Sequence, residues 1–177
     1  YPIYINMENR IKVIGKSQNG VALGVMKAYV TMYPGTTLAD LRKVFPNELA
    51  PDKGVKEIFL PCKEAEAVNL QSNTSLYFVK DQRPILLSNR QRVAVSQIWT
   101  SKSFSNLIEV AAKLGIAVEL DKDTDKDVKE TGYVLEYLNG WKPATPKKGC
   151  LGMAALLVIA GGCTLFGLME LIYCLTK

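Results

Sequence analysis

The chain has 177 residues, 48% of them hydrophobic, and a formal net charge of +5 at pH 7. It has no histidine, which excludes Ser-His-Asp and Cys-His nucleophilic sites and every metal site built on imidazole. Its four cysteines include no Cys-x-x-Cys pair and give no disulfide framework, which is consistent with a reducing cytosol. We therefore expect a non-enzymatic protein without a metal or cofactor.

A loosely alternating run at residues 4–14 predicts a strand, and a helical pattern follows it. Apolar residues recur at helical spacing over residues 20–33, and Pro34-Gly35 ends this helix. A second helix opens at Thr36-Thr37, with Asp40 in its first turn in an arrangement close to a capping box. The two segments predict a helical hairpin.

The middle of the chain is rich in strand formers. Residues 57–60, 75–80, 85–87 and 92–97 are β-branched or aromatic runs separated by turn residues, so residues 76–96 predict an antiparallel meander. A further helix is predicted over residues 103–114 and a strand over residues 116–120.

The charged run at residues 121–130 is interpreted as a solvated loop, followed by a short helix or strand at residues 133–138. The aspartates at 121, 123 and 125 have the spacing of the first EF-hand ligands. Counted from Asp121, the sixth and twelfth positions hold Lys126 and Gly132 instead of glycine and glutamate. The run therefore predicts no calcium site.

The C-terminal segment has the composition of a transmembrane helix. Residues 150–169 carry no charge, and the apolar pattern continues past Glu170 to residue 175. About twenty apolar residues match the roughly 30 Å hydrocarbon core of a bilayer. Three lysines precede the segment and one follows it, so the positive-inside rule places the N-terminal domain in the cytoplasm. The pattern predicts a single-pass, tail-anchored protein of the inner (plasma) membrane.

A stripe of small residues in this segment predicts self-association. Small residues let membrane helices approach closely, and a carboxylate inside a membrane is costly unless it is neutral, paired or facing water. The alternative is that the carboxylate reaches the outer interface, because it lies near the end of the chain. The stripe comprises Gly152, Ala155, Gly162, Cys163, Gly167 and Glu170.

Basic residues gather on the predicted meander and just after it. On a strand, Arg90 and Arg92 project from the same face, and several hydroxyls and the start of the 103–114 helix follow. Guanidinium groups beside a helix N-terminus suit a phosphate, and a tryptophan suits stacking on a base. The alternative is a solvated sheet face with the tryptophan in the core. The candidate site for an anionic, nucleotide-like small ligand comprises Arg83, Arg90, Arg92, Trp99 and Lys102.

The helical hairpin also leaves open an interaction with nucleic acid. Its basic residues are Lys27, Arg42 and Lys43. A recognition helix usually offers several polar side chains to a groove, whereas the segment LADLRKVF is largely apolar. Nucleic acid is therefore an alternative partner.

Two stretches, AYVTMYPGTTLADLRKVFP and RQRVAVSQIW…SFSNLIEVAAKLGIAV, carry a resemblance to a known module. They resemble a small α/β module of unknown function in bacterial proteins, some of them linked to phage defence or restriction. The resemblance covers residues 25–118. A small cytosolic domain joined to a membrane helix is also similar to the membrane effectors of nucleotide-signalled bacterial defence.

The predicted fold class is α+β, with a small cytosolic domain at residues 1–138, a juxtamembrane linker at 139–149 and one C-terminal transmembrane helix at 150–175. The domain comprises the helical hairpin, the antiparallel sheet and a further helix. We expect a membrane-anchored sensor or effector that contacts the lipid bilayer and forms a homo-oligomer through its helix. It would respond to a ligand or partner in bacterial antiviral defence. The alternatives are an adaptor subunit of a larger membrane complex and a membrane-tethered nucleic-acid-binding module.

Overall fold

Strand β1, Ile11–Gly15, is the centre of a mixed sheet around which the domain is organised. The computed structural model describes residues 8–50, 56–124, 126, 128 and 130–144. All of these belong to one compact unit, Tyr1–Ala144, and Thr145–Lys177 is a second unit. The described elements are, in chain order, β1 (Ile11–Gly15), α1 (Gln18–Met32), α2 (Leu38–Val44), a 3-10 helix (Asn47–Leu49), β2 (Phe59–Pro61), α3 (Cys62–Ser72), β3 (Ile85–Leu86), β4 (Arg92–Val95), α4 (Ser101–Lys113), β5 (Ile116–Leu120) and β6 (Val134–Tyr137).

The mixed sheet has the strand order β5-β1-β6. β5 runs parallel to β1 and β6 runs antiparallel to it, so that Ile11 lies opposite both Ile116 and Tyr137. A parallel neighbour needs a long crossover connection, and here that connection contains α1 to α4. Helices α1 and α4 contact each other, and both contact β5.

Charged side chains cross the three strands of this sheet in alternating sign. Lys12 on β1 is paired with Glu119 on β5, and Glu136 on β6 is paired with Lys126. The hydrogen bond that Lys12 donates to Glu119 raises the pKa of Lys12, and the hydrogen bond that Lys126 donates to Glu136 lowers the pKa of Glu136. Ion pairs as accessible to solvent as these contribute little to stability.

Helix α1 is buried along most of its length because it packs directly on the mixed sheet. Its N-cap Ser17 accepts a hydrogen bond from the backbone N–H of Gly20. A Cβ added at Gly20 would lie under 3.0 Å from the carbonyl oxygen of Gly132, so the segment before β6 crosses the helix where no side chain fits. Gly132 itself has a φ of +89°, which favours glycine.

The second sheet is antiparallel, with the order β2-β4-β3, and a bridge between Tyr77 and Ser96 extends its outer side. Ile85 pairs with Val93, so eight residues along this side span only three residues along β4. This side therefore contains five more residues than β4 between the bridge and β3, and residues 79–84 leave the sheet as a loop, which we call the 79–84 loop.

Two apolar clusters form the core. The larger lies between the helices and both sheets and includes Phe45, Phe59 and Trp99. The smaller joins α3 to the second sheet and consists of Cys62, Ala65, Tyr77 and Ala94. The second sheet is therefore covered by apolar contacts on both faces.

Several local predictions are confirmed. Thr37 and Asp40 form a complete capping box at the start of α2, and β5 has the predicted bounds. The predicted strand at 75–80 is reduced to the single bridge at Tyr77, and the 133–138 segment is a strand. Helix α3 was not predicted, because its helix-forming residues show no clear apolar stripe in the sequence.

The membrane part of the predicted fold class is corrected. No helix in the described part of the chain is long and apolar enough to cross a bilayer. The longest, α1, has 15 residues and a length of about 22 Å, against the roughly 30 Å that a bilayer core requires. We therefore describe the fold as α+β, with four α-helices and two three-stranded sheets in the described residues. We withdraw the transmembrane helix, the tail anchor and the inner-membrane location. The predicted span at 150–175 lies outside the described residues, as does its small-residue stripe.

Candidate ligand-binding groove

The five residues of the predicted anion site do not form one site. Trp99 is 6% exposed, belongs to the larger core cluster, and donates its indole N–H to the carbonyl oxygen of Ser96 at 2.9 Å. This geometry matches the alternative in which the tryptophan is a core residue. It leaves no free ring face for stacking on a base.

Lys102 and Arg90 lie apart from the rest of the predicted set. Lys102 is exposed in the first turn of α4, whose N-terminus is already capped because Thr100 and Ser103 form a capping box. Arg90 is exposed at the tip of the β3–β4 hairpin, with a φ of +64°.

The structure does bring Arg83 and Arg92 to a common element, the 79–84 loop. Arg92 Nη2 donates to the carbonyl oxygen of Asp81 at 3.4 Å. Arg83 Nε donates to the carbonyl oxygen of Glu130 at 3.2 Å, and its guanidinium carbon lies 5.6 Å from the ring centroid of Phe78. Arg92 therefore binds the backbone of the loop from outside it, whereas Arg83 is a loop residue whose side chain is ordered by Glu130 and Phe78.

Lys27 also binds this loop, although the sequence assigned it only to the basic residues of the helical hairpin. Its Nζ donates to the carbonyl oxygens of Gln82 and Pro84, at 3.2 and 2.9 Å. Burial and, after it, the nearby charge of Arg92 lower the pKa of Lys27. A signal was present in the sequence, because Lys27 is the one charged residue of α1, QNGVALGVMKAYVTM.

A groove of about 680 Å³ lies between α3 and the segment that leads into the 79–84 loop. We call it the α3 groove. Arg83 and Lys80 provide cations at one side, and Phe78 and Leu70 provide apolar surface. The remaining lining residues are Glu66, Asn69, Asn73, Thr74, Ser75, Tyr77, Val79 and Gln97.

Asn69 builds the wall of this groove. In the antiparallel pairing with β4, Tyr77 turns its own N–H and carbonyl away from the partner strand, and Asn69 meets both. Its Oδ1 accepts from the N–H groups of Leu76 and Tyr77, at 2.9 and 3.0 Å. Its Nδ2 donates to the carbonyl oxygen of Tyr77 at 3.1 Å. The amide thus takes the place of a neighbouring strand at an edge that would otherwise be unpaired.

The thiol and the phenol near the groove are held in their neutral forms. Burial raises the pKa of the Cys62 thiol, which disfavours the reactive thiolate. Burial also raises the pKa of Tyr77, whose hydroxyl donates to the carbonyl oxygen of Glu57 at 2.8 Å. No cluster of three metal-binding side chains occurs among the residues that the structure describes.

A second groove, of about 640 Å³, lies between the end of α1 and α2. It is lined by Tyr29 and Tyr33, whose ring centroids are 4.8 Å apart. Its carboxylate, Asp40, already accepts hydrogen bonds from the backbone and hydroxyl of Thr37. This groove therefore offers fewer uncommitted polar groups than the α3 groove.

The basic residues of the helical hairpin are mostly committed to contacts within the domain. Arg42 Nη2 donates to Glu57 Oε2 at 2.5 Å and to the carbonyl oxygen of Phe59 at 3.2 Å. Lys27 binds the 79–84 loop as described. α2 has only seven residues, fewer than two full turns.

Comparison of the chain with family models, curated proteins and solved structures found no match.

Proposed function

We propose that this chain contains the ligand-recognition domain of a non-enzymatic sensor, which binds a small anionic, nucleotide-like ligand in the α3 groove. The observation that carries this proposal is the position of Arg83. It lines the groove, and it is held by the Phe78 ring and the Glu130 carbonyl. A guanidinium that is already ordered loses little entropy when it binds an anion.

The rest of the groove suits a ligand that has both an anionic and an apolar part. Lys80 adds a second positive charge beside Arg83, and Glu66 is the one carboxylate among the described lining residues. Phe78 and Leu70 offer surface to a flat apolar group such as a base.

Adenosine 5′-monophosphate is the probe that tests this proposal, with adenosine and inorganic phosphate as its two halves. We expect the full chain to bind the nucleotide more tightly than either half, in a calorimetric titration at fixed ionic strength. Arg83→Gln should weaken binding about 10- to 100-fold, because a hydrogen bond to a charged group contributes about 1.5–3 kcal/mol.

Lys102→Gln and Arg90→Gln are the matched controls. Both remove an exposed cation of the predicted site that is not among the residues lining the α3 groove. We expect them to change the affinity less than twofold. Equal binding of adenosine and the nucleotide, or a loss at Lys102→Gln as large as that at Arg83→Gln, would contradict the proposal.

A protein adaptor is the second candidate function, and one observation favours it. Leu70 is 82% exposed and lines the α3 groove beside Phe78, where a partner chain would cover both apolar side chains. If a protein is the partner, Leu70→Glu should remove a co-purifying chain of defined mass in native mass spectrometry. Exposed Ile108→Glu on α4 is the control that should retain it.

A further inference from the structure

The 79–84 loop is held by cations that bind its backbone. Lys27 on α1 donates hydrogen bonds to the carbonyl oxygens of Gln82 and Pro84, and Arg92 on β4 donates one to the carbonyl oxygen of Asp81. Three of the six loop carbonyls are thereby drawn toward the domain. Lys80 and Arg83 of the same loop line the α3 groove.

The contacts of Lys27 with the loop carry a free-energy cost, because its ammonium group is buried. Moving an ammonium group out of water is unfavourable, and a carboxylate partner usually compensates for it. Within the described residues, Lys27 forms no ion pair with a carboxylate, and Arg92 is the charge that acts on it. The two carbonyl oxygens offset only part of the free-energy cost of removing the ammonium group from water. We therefore expect Lys27 to contribute little to the stability of the domain.

The loop also contains one residue in the left-handed region, Asp81, with a φ of +58°. Aspartate adopts this region more readily than most residues with a side chain, but less readily than glycine. Such conformations are concentrated at functional sites. The carbonyl of Asp81 is the one bound by Arg92.

We propose that Lys27 is a positioning residue for the ligand site: by binding the backbone of the 79–84 loop, it sets Lys80 and Arg83 in the geometry that receives the anion. This inference rests on the proposed function and adds that a residue outside the groove controls its affinity. Burying the Lys27 ammonium group lowers the stability of the domain, and its hydrogen bonds order the 79–84 loop.

Lys27→Met tests the inference, because methionine keeps the apolar stem and removes the buried charge. We expect the affinity of the full chain for adenosine 5′-monophosphate to fall at least tenfold. The urea midpoint should stay the same or rise, a combination that a purely structural role would not produce. Amide exchange should accelerate in residues 79–84 and remain unchanged in the two sheets.

Arg92→Gln is the second variant. Because Arg92 is exposed, we expect this substitution to leave the fold intact. It should weaken binding and accelerate the same amides, by a smaller factor, because Arg92 makes one long contact where Lys27 makes two. Lys113→Gln, an exposed cation at the end of α4, should change neither quantity.

The outcomes separate the two proposals. If Arg83→Gln leaves nucleotide binding unchanged, the proposed function fails, and amide exchange in Lys27→Met then decides the positioning role alone. If Arg83→Gln weakens binding and Lys27→Met does not, the positioning role is overturned. It is also overturned if Lys27→Met lowers the urea midpoint and accelerates exchange throughout both sheets, because Lys27 would then support the whole fold.

Discussion

Replacing Asn69 tests whether one side-chain amide substitutes for a strand at the edge of the second sheet. In Asn69→Ala, Leu76 N–H still has the Thr74 carbonyl at 3.0 Å, and the Tyr77 carbonyl still has Gln97 Nε2 at 2.9 Å. The N–H of Tyr77, a buried residue, loses its acceptor. The loss therefore centres on one orphaned buried donor.

The magnitude follows from these three contacts. An unsatisfied buried donor costs about 1–3 kcal/mol, and the two weaker losses add about 1 kcal/mol together. Alanine favours a helix over asparagine by about half a kcal/mol, which offsets part of this. We expect Asn69→Ala to lower the free energy of unfolding by about 1.5–3.5 kcal/mol.

Asn69→Asp separates the acceptor role from the donor role. Its carboxylate still accepts from both N–H groups, but its second oxygen replaces the donor that pointed at the Tyr77 carbonyl oxygen, so that two acceptors face each other there. The carbonyl retains Gln97 as a donor. We expect a loss of about 1–2 kcal/mol, smaller than that of Asn69→Ala. Exposed Gln71→Ala on the same helix is the control and should lie within about half a kcal/mol of the wild-type.

Urea unfolding measures these differences, with the m-value checked for constancy, and amide exchange at Tyr77 locates them. Tyr77 N–H should lose its protection in the alanine variant and keep it in the aspartate variant. An alanine variant as stable as the wild-type, or an aspartate variant as destabilised as the alanine one, would refute the view that Oδ1 acts as the strand neighbour.

Three further predictions concern the framework around the site. Gly20→Ala should destabilise the domain by about 1–3 kcal/mol despite alanine's helix propensity, because its Cβ meets the backbone oxygen of Gly132 and no rotamer relieves that contact. Gly35→Ala, which meets no atom within 4 Å, should be neutral or slightly stabilising in the same urea titration. Burial raises the pKa of Tyr133 to about 12. The stability that the neutral, buried phenol contributes is therefore complete below about pH 10, the pKa of tyrosine in the unfolded chain, and is lost as the pH rises to about 12. Tyr133→Phe should reduce the alkaline loss of stability by about 2–3 kcal/mol. Thr100→Ala should cost about 1 kcal/mol and shorten α4 at its start, as seen by circular dichroism and amide exchange.

The outcomes that would contradict these predictions are equally specific. A neutral Gly20→Ala would mean that the segment around Gly132 yields without cost. An unchanged pH profile in Tyr133→Phe would assign the alkaline transition to other tyrosines, of which Tyr29 and Tyr77 also have a raised pKa.

The predicted α+β secondary structure was correct where the signal is local. The capping box at Thr37 and Asp40 and the bounds of β5 follow from residues close together in the chain. Helix α3 was missed because its buried side is narrow, with only Cys62 and Ala65 fully covered. The transmembrane helix was inferred from hydropathy alone, and no described helix supports it.

The candidate site shows where local inference stops. Composition identified the basic residues near the meander, and Arg83 and Arg92 do meet at one loop. Trp99 could not be placed from the sequence, because a tryptophan beside basic residues suits a core and a ligand site equally. Asn69 carried no sequence signal for the site. Lys27, the one charged residue of α1, carried a signal that did not indicate which loop it binds.

The sequence by itself determined the capping box of α2, the bounds of β5 and the absence of histidine chemistry, because each depends on residue type and near neighbours. Tertiary structure decided the rest. β1 finds its parallel partner about a hundred residues away, and Lys27 meets a loop more than fifty residues further on. Such long-range pairings depend on how helices and sheets pack, and periodicity along the chain contains no record of them.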